Sequence, residues 1–395
     1  MTTLVQQIAK LQSDLSQHTI AADELTQEVI NSITVLEQKT EEFITEWGIN
    51  QYTVLRVGSN QEYPSIQDAW NSLQGKKLAE DVVIKVDDGT YPINILSLED
   101  HPDAHHIQVE GNIQNPAACT LQFTPDSNNT SHGVIIRNVN ELTFSGFRIR
   151  GTLGQTQRGI YLSGAATVRT HNHSIQIEGC DVGVAVYEQS IFDSYGLSVS
   201  DCIYGARVGS GSTLEARAAS FSGNGQETSL IGIDVSDTSR CWRNETDLGN
   251  FQIGYRALNN SYLYCDAAKA ENCGKGFVAS TNSVLWNRKS DSFQGRKHGL
   301  ALNCALGFVA ETGSTVEAFG AHAENCETGF FSSISALLIA NSSHVLNCSS
   351  HGYLAKAMSN IEALGAASNI SGTPVPYSPG SSGVLGNENA MIRIN

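Results

Sequence analysis

The sequence predicts an all-β solenoid, a right-handed parallel β-helix with rungs of about 22 residues, preceded by one long α-helix. Three observations carry this expectation. A segment repeats with a period near 22 residues from about residue 178, the repeats align on Gly, Cys and apolar positions, and residues 1–47 carry a different, heptad-like period without Gly or Pro.

The N-terminal segment comes first. Leu4, Ile8, Leu11, Leu15, His18, Ala22, Leu25 and Val29 recur at alternating steps of four and three. That is the a/d seam of a coiled coil. The series resumes as Ile33, Leu36, Thr40, Phe43 and Trp47, and the step into Ile33 is a stutter that locally unwinds a supercoil. A helix of this length extends roughly 66 Å and cannot bury its own stripe, so the segment is expected to associate with copies of itself. Mixed Leu, Ile and Val in the seam leave the number of strands open. His18 reads as a tolerated polar seam residue. Gly48 ends the helix.

Residues 48–106 form the opening of the solenoid. The stretch 52–73 reads as a strand, a turn and a short amphipathic helix, and 82–93 as a strand that turns at Asp88-Gly89. Such a helix would cap the open end of a solenoid, whose unpaired edge is otherwise a pairing hazard. Asp87-Asp88-Gly89 reads as a turn rather than a calcium loop.

The body spans residues 107–367, with less regular rungs up to 165. Gly183, Gly205, Gly232, Gly254, Gly276, Gly307, Gly329 and Gly352 are 22 or 23 residues apart except across insertions near 226–230 and 295–300. A second segment begins at Ser190, Ser212, Ser239, Ser261, Ser283, Ser314 and Ala336. Two positions on stand Phe192, Leu214, Cys241, Leu263, Leu285, Val316 and Leu338, all apolar. One apolar column between polar or aromatic neighbours is strand alternation. Stacked rungs make residues of one column near neighbours, about 4.8 Å apart. Cys180, Cys202, Cys273, Cys304, Cys326 and Cys348 then form a ladder of small apolar residues. The tail, 368–395, is rich in Pro, Gly and Ser and reads as a linker, a closing strand or an attachment peptide.

Composition narrows the function. Forty acids against 24 bases give a formal charge of −16 with no basic stripe, which argues against a nucleic-acid partner. No apolar run approaches the about 20 residues needed to span a bilayer, and the N-terminus lacks the pattern of a secretory signal, so neither membrane insertion nor Sec-type export is expected. Nine cysteines without a CxxC pair argue against a zinc ribbon and a disulfide framework, and no metal or cofactor is expected. His105-His106, His171 and His173 read as loop histidines, and the sequon at Asn128 has no meaning without secretion.

The opening at 52–93 resembles the start of pectin-lyase-like β-helix proteins. The phrase GFVAETGSTVEAFGAHAENCETGFF at 307–331 resembles the repeats of bacteriophage tail fibres and tailspikes. The resemblance covers roughly residues 52–365. It implies a homotrimer whose N-terminal stem attaches to a tail or baseplate protein, whose body recognises a bacterial surface glycan, and which is made in the host cytoplasm and ends in the virion. No motif of pectin methylesterase or pectate lyase chemistry is present, and fold alone grants no activity.

Candidate residues follow from the columns. The outward column beside the apolar one reads Asp193, Glu215, Trp242, Tyr264, Trp286, Glu317, Ile339, with Arg217, Arg240, Asn244, Tyr262, Asp266 and Arg288 next to it. Sugar rings stack their C–H faces on Trp and Tyr, and neighbouring polar groups bond the hydroxyls. Arg240, Trp242, Tyr262, Tyr264, Asp266, Trp286 and Arg288 are therefore the candidate glycan surface. The alternative is a subunit interface, which also enriches aromatic residues and Arg. Glycoside hydrolysis uses two carboxyls about 5–5.5 Å apart for retention and 6.5–9.5 Å for inversion. Asp193 and Glu215, one rung apart, are the candidate catalytic pair, with Asp266 and Glu317 as alternates. Glu317 is four rungs from Glu215, about 19 Å, too far to pair with it directly. Three readings stay open: a glycan-binding tail fibre, a depolymerase (glycosidase or lyase) of the same glycan, and a structural tail component.

Overall fold

The structure is a computed structural model that describes residues 4–124, 131–171, 174–224, 229–244, 246–287, 298–369 and 390–393. The chain divides into two compact units, residues 1–53 with 75–81, and residues 54–74 with 82–395.

In the first unit, helix α1 (Leu4–Trp47) runs for 44 residues, and Gly48–Ile49 pairs in parallel with Lys77–Leu78. Of the seam residues, Ile8, Leu11, Leu15, Leu25, Val29, Ile33 and Leu36 are exposed. The side chains of Leu4, Ala22, Thr40, Phe43 and Trp47 lie outside the described residues. Within one chain the apolar stripe of α1 is thus left in solvent along most of its length.

The second unit is an all-β parallel solenoid of about 12 turns. Its described strands form three parallel sheets of 14, 12 and 11 strands. Each turn visits the three in order. Val82–Val86 lies in the first sheet, Gly89–Ile93 in the second and Leu96–Glu99 in the third, and Ile107–Glu110 returns to the first. The inward column of the first sheet is the apolar series expected from sequence. Phe192, Leu214, Cys241, Leu263, Leu285, Val316 and Leu338 pair rung to rung, and all are buried. In the third sheet, Tyr255, Phe277, Phe308, Phe330 and Tyr353 stack at 4.7–5.1 Å with nearly parallel rings. Like side chains in successive rungs turn a one-residue choice into a continuous apolar rod.

The corners explain the repeated small and polar residues. Asn250, Asn272, Asn303, Asn325 and Asn347 hold the second-to-third corner with φ of 52–62°, a left-handed conformation that Asn adopts more readily than most residues. Their amides also form a ladder. Nδ2 of Asn303 donates to Oδ1 of Asn272 at 3.2 Å, and Asn325 does the same to Asn303 at 3.3 Å. The next residue inward is often cysteine. The Cys202, Cys273, Cys304 and Cys326 thiols each donate to the carbonyl two residues before them at 3.3–3.4 Å. All nine cysteines are buried, and none is in a disulfide. Bonds between neighbouring thiols, with burial, push Cys304 and Cys326 up to about 12. Such groups stay protonated and are poor nucleophiles. At the third-to-first corner a column of buried serines closes the turn. The Ser190 amide donates to Ser212 Oγ, and the Ser212 amide to Ser239 Oγ, each at 3.2 Å.

The glycines that define the period sit where the chain has no room. A Cβ on Gly307 would come within 2.5 Å of the Gly329 carbonyl oxygen, a contact with backbone that no rotamer relieves.

Helix α2 (Ile66–Leu73) is capped by Ser65, whose Oγ accepts from the Asp68 amide at 3.1 Å. It buries Ile66, Ala69, Trp70 and Leu73. Its outer side chains meet the edge of the third sheet. Gln67 accepts from the Ser97 amide at 2.8 Å and donates to the Ser97 carbonyl at 2.9 Å, and Gln74 donates to the Glu99 carbonyl at 3.1 Å. At the other end Met391–Arg393 adds a last strand to the first sheet beside Asn360–Glu362. Residues 370–389 of the tail, Asn128 and His173 lie outside the described residues.

Three imidazoles lie in a row: His298 stacks on His322 at 4.5 Å, and His344, the counterpart of His322 one rung on, meets it at a tilt at 4.7 Å. Burial and the two neighbouring rings lower His322 to about 4. A histidine depressed in the folded state keeps its full contribution above its unfolded value near 6.5. That contribution is lost as pH falls through the window down to about 4. Thermal melts between pH 7 and pH 4 should therefore show stability falling through that range, with a smaller fall in His322→Asn. Gly307→Ala should destabilise the solenoid by about 1–3 kcal/mol, read as a lower urea midpoint by far-UV circular dichroism. An unchanged midpoint would mean that the rungs have room for a methyl group there.

Candidate functional site

The first sheet places the candidate residues through its register. Asp193 pairs with Glu215, Glu215 with Trp242, Trp242 with Tyr264, Tyr264 with Trp286, Trp286 with Glu317 and Glu317 with Ile339. Thr213, Arg240, Tyr262 and Val284 form the parallel outward column two residues earlier in each strand. Asp266 sits opposite Asn244, two positions beyond the aromatic column. Arg288 lies outside the described residues, as does the Asn244 side chain.

The rings of this column are stacked against one another. Trp242 and Tyr264 are 4.0 Å apart with planes 3° from parallel, and Trp286 meets Tyr264 edge-on at 4.4 Å. Stacking closes the facing sides of Trp242 and Tyr264 to any ligand. The Trp242 face turned away from Tyr264 lies toward the rung of Glu215. Trp242 is 43% exposed, and Tyr262 in the neighbouring column is 40% exposed. The usable ring surface is therefore concentrated on these two, beside the exposed side chain of Arg240.

The two candidate acids differ in their surroundings. Arg217 donates from Nη2 to Asp193 Oδ1 at 2.7 Å. That bond, and then the charges of Asp193 and Glu215, raise the already high value of Arg217. The guanidinium thus belongs to both carboxylates electrostatically and to Asp193 by contact. Its half-exposed setting makes the pair worth no more than about 1 kcal/mol. Glu215 has no ion-pair partner within contact among the described residues, so its oxygens can accept hydroxyl protons beside the open face of Trp242. Glu317 lies beyond Trp286, separated from Glu215 by the three rings. The arrangement is a flat, ring-bearing surface with one uncommitted carboxylate, which suits recognition of a polyhydroxylated ligand.

Sequence reasoning missed two features. One is a cleft of about 570 Å³ early in the solenoid, lined by Arg56, Lys85, Asp87, Asp88, Glu110 and Asn112. Its acids are engaged by the protein. Gln61 donates to Asp87 at 2.6 Å, Asn112 donates to both oxygens of Asp88 at 2.9 and 3.2 Å, and Lys85 pairs with Glu110. The first rungs differ in length, so no column alignment could have brought these residues together. The other lies on the third sheet, where Arg and Tyr recur three apart in Arg158-Gly-Ile-Tyr161 and Tyr204-Gly-Ala-Arg207. That spacing was the available signal. Among the described residues no group of three or more His, Cys, Asp or Glu side chains is arranged to hold a metal ion, and no helix is long and apolar enough to cross a membrane.

No protein-family model and no curated protein matches the chain. Among solved structures, the crystal structure of the Agl-KA catalytic domain is similar over 83% of this chain, with 11% identity and a TM-score of 0.42. This chain spans 64% of that domain's length. At that level the likeness carries no argument about chemistry.

The exposure of Trp242 has a direct readout. Acrylamide quenching of tryptophan fluorescence should fall more in Trp242→Phe than in Trp286→Phe, and should not change in Trp70→Phe, whose ring is buried. Equal losses from Trp242 and Trp286 would mean that the column is covered evenly.

Proposed function

We propose that this protein is a phage tail fibre or tailspike that holds a bacterial surface polysaccharide on the outward face of its first sheet. The observation that carries the reading is the stacked Trp242–Tyr264–Trp286 column, with Trp242 and Tyr262 exposed beside Arg240 and Glu215. Glycan hydroxyls bond the polar neighbours while a pyranose C–H face lies on the open side of Trp242. The exposed stripe of α1 supports the second half of the proposal, a trimeric coiled-coil stem joined to a tail or baseplate protein. The solenoid coils right-handed in this reading, the hand that parallel crossovers favour. Three parallel copies bring three sites to one cell surface, so weak single-site affinity suffices for attachment.

A second reading is favoured by one observation. The same face carries Val284, Leu337 and Ile339 on later rungs and the exposed Met391 on the last strand. An apolar continuation of this kind suits contact between subunits.

The experiment is to incubate the purified protein with a panel of bacterial surface polysaccharides, recording binding and polymer size together, with its mass by light scattering. The expected result is a trimer that binds at least one polymer without shortening it, weakened roughly 2- to 10-fold per site by Trp242→Ala. Shortening that disappears in Glu215→Gln or Asp193→Asn would replace the binding protein with a depolymerase. A monomer in solution would remove the stem. No binding, with Trp242 protected from quenching in the assembled protein, would make the face a subunit interface.

A further inference from the structure

The third sheet carries a second outward cluster, on strands separate from the aromatic column. His132 pairs with Arg158 in the register, and Tyr161, Ala185, Arg207, Asp234 and Arg256 follow one another in the next outward column. The Arg158 guanidinium lies over the Tyr161 ring, 4.3 Å from its centroid, and 5.8 Å from that of Tyr187. The Arg207 guanidinium lies 4.8 Å from the Tyr204 ring. The Tyr187 ring passes over Gly209, where a Cβ would come within 2.7 Å of it. The glycine is what lets that ring lie against the rung.

The charges do not cancel. Asp234 is 3% exposed, and Arg256 satisfies it with two bonds of 2.8 and 2.9 Å. Arg207 is 3.7 Å from the same carboxylate. Arg158 has no carboxylate partner among the described residues; its Nη1 lies 3.4 Å from His132 Nε2. Burial, and then the charge of Arg158, hold His132 below its ordinary value, so the imidazole is neutral near pH 7. Burial holds the Tyr187 phenol above its ordinary value, so it stays protonated and able to donate. One buried carboxylate thus pairs with two arginines, Arg256 closely and Arg207 at longer range, and Arg158 stands outside that pairing, in a chain whose formal charge is −16. Arg158 and Arg207 are propped on tyrosine rings, Arg158 without a carboxylate partner among the described residues and Arg207 sharing Asp234 with Arg256. A stacked guanidinium keeps its N–H edge free for a bidentate oxyanion.

We propose that this cluster binds the carboxylate of a uronic-acid unit in an acidic oligosaccharide. Arg158 and Arg207 take the carboxylate, and Tyr161, Tyr187 and Tyr204 take the sugar's ring face and hydroxyls. The site stands independently of the first-sheet surface, since it shares no residue with it. Its ligand is defined by the carboxylate, which separates an acidic glycan from a neutral one, and by the ring face and hydroxyls on the tyrosines, which separate a sugar from a simple anion.

The test is isothermal titration calorimetry of the whole protein at low ionic strength with short oligo-mannuronate, oligo-guluronate and oligo-glucuronate, their carboxyl-reduced forms, and inorganic phosphate. At least one uronate should bind, its reduced form should not, and Arg158→Gln and Arg207→Gln should each weaken it at least about tenfold. Arg158→Lys, which keeps the charge and loses the fork, should fall between them. Trp242→Ala should leave this binding unchanged, which separates failure here from failure of the first-sheet reading. Far-UV circular dichroism checks that each variant keeps its strands. Equal binding of reduced and native oligomers would overturn the proposal, as would wild-type affinity in both arginine-to-glutamine variants. Binding of phosphate with no binding of any uronate would overturn it in favour of a simple anion site.

Discussion

Everything in the solenoid depends on one spacing, the distance between hydrogen-bonded parallel strands. At about 4.8 Å, a residue's nearest non-bonded neighbours are its own counterparts one turn up and one turn down. The backbone sets the separation and the side chains must fit it. The glycine column fits by having no side chain at all: Gly307 faces the carbonyl of Gly329 at a distance that excludes a methyl group. The cysteine, asparagine, serine and phenylalanine columns fit by repeating one shape, so each rung satisfies its neighbour in the way it is itself satisfied.

This is why so much of the body was legible in the sequence and why some of it was not. Wherever the period holds, aligning Gly183 through Gly352 also aligns the inward apolar series and the outward Asp193-to-Ile339 series. Register follows from counting. Counting stops working before about residue 165, where turns differ in length, and the cleft around Asp87, Asp88 and Asn112 was invisible for that reason. The Arg158–Tyr161 cluster failed on two counts. Arg158 and Tyr161 stand in the irregular early rungs, with a register shift between Thr156 and Arg158, and cation–ring contacts also depend on side-chain direction, which spacing does not encode. The seam of α1 was legible as a pattern, and the described seam side chains are exposed within one chain.

The aromatic column shows the same limit from the chemical side. Sequence placed Trp242, Tyr264 and Trp286 on successive rungs, and the register brings them together. Sequence did not foresee that the rings would use their faces on one another, with Trp242 and Tyr264 only 3° from parallel. Close stacking in a column consumes the surface that would make the column sticky. What remains for a ligand is the end of the stack and its flanks, so Trp242, Tyr262, Arg240 and Glu215 matter more than the middle of the series. The Asp193–Arg217 contact likewise ties down one acid and leaves the other open.

The insertions near 226–230 and 295–300 lie in the sequence between described strands that keep their pairing. Leu285 still faces Val316 across the longer of the two, and Ala206 faces Ile233 across the shorter. A corner can therefore gain or lose length without shifting any column, whereas a single residue added inside a strand would turn every later side chain of that strand to the wrong face. Change in such a molecule is channelled. The rungs form a fixed gauge, and novelty enters by lengthening corners or by exchanging outward residues one at a time, which lets a new surface arise without refolding the old one.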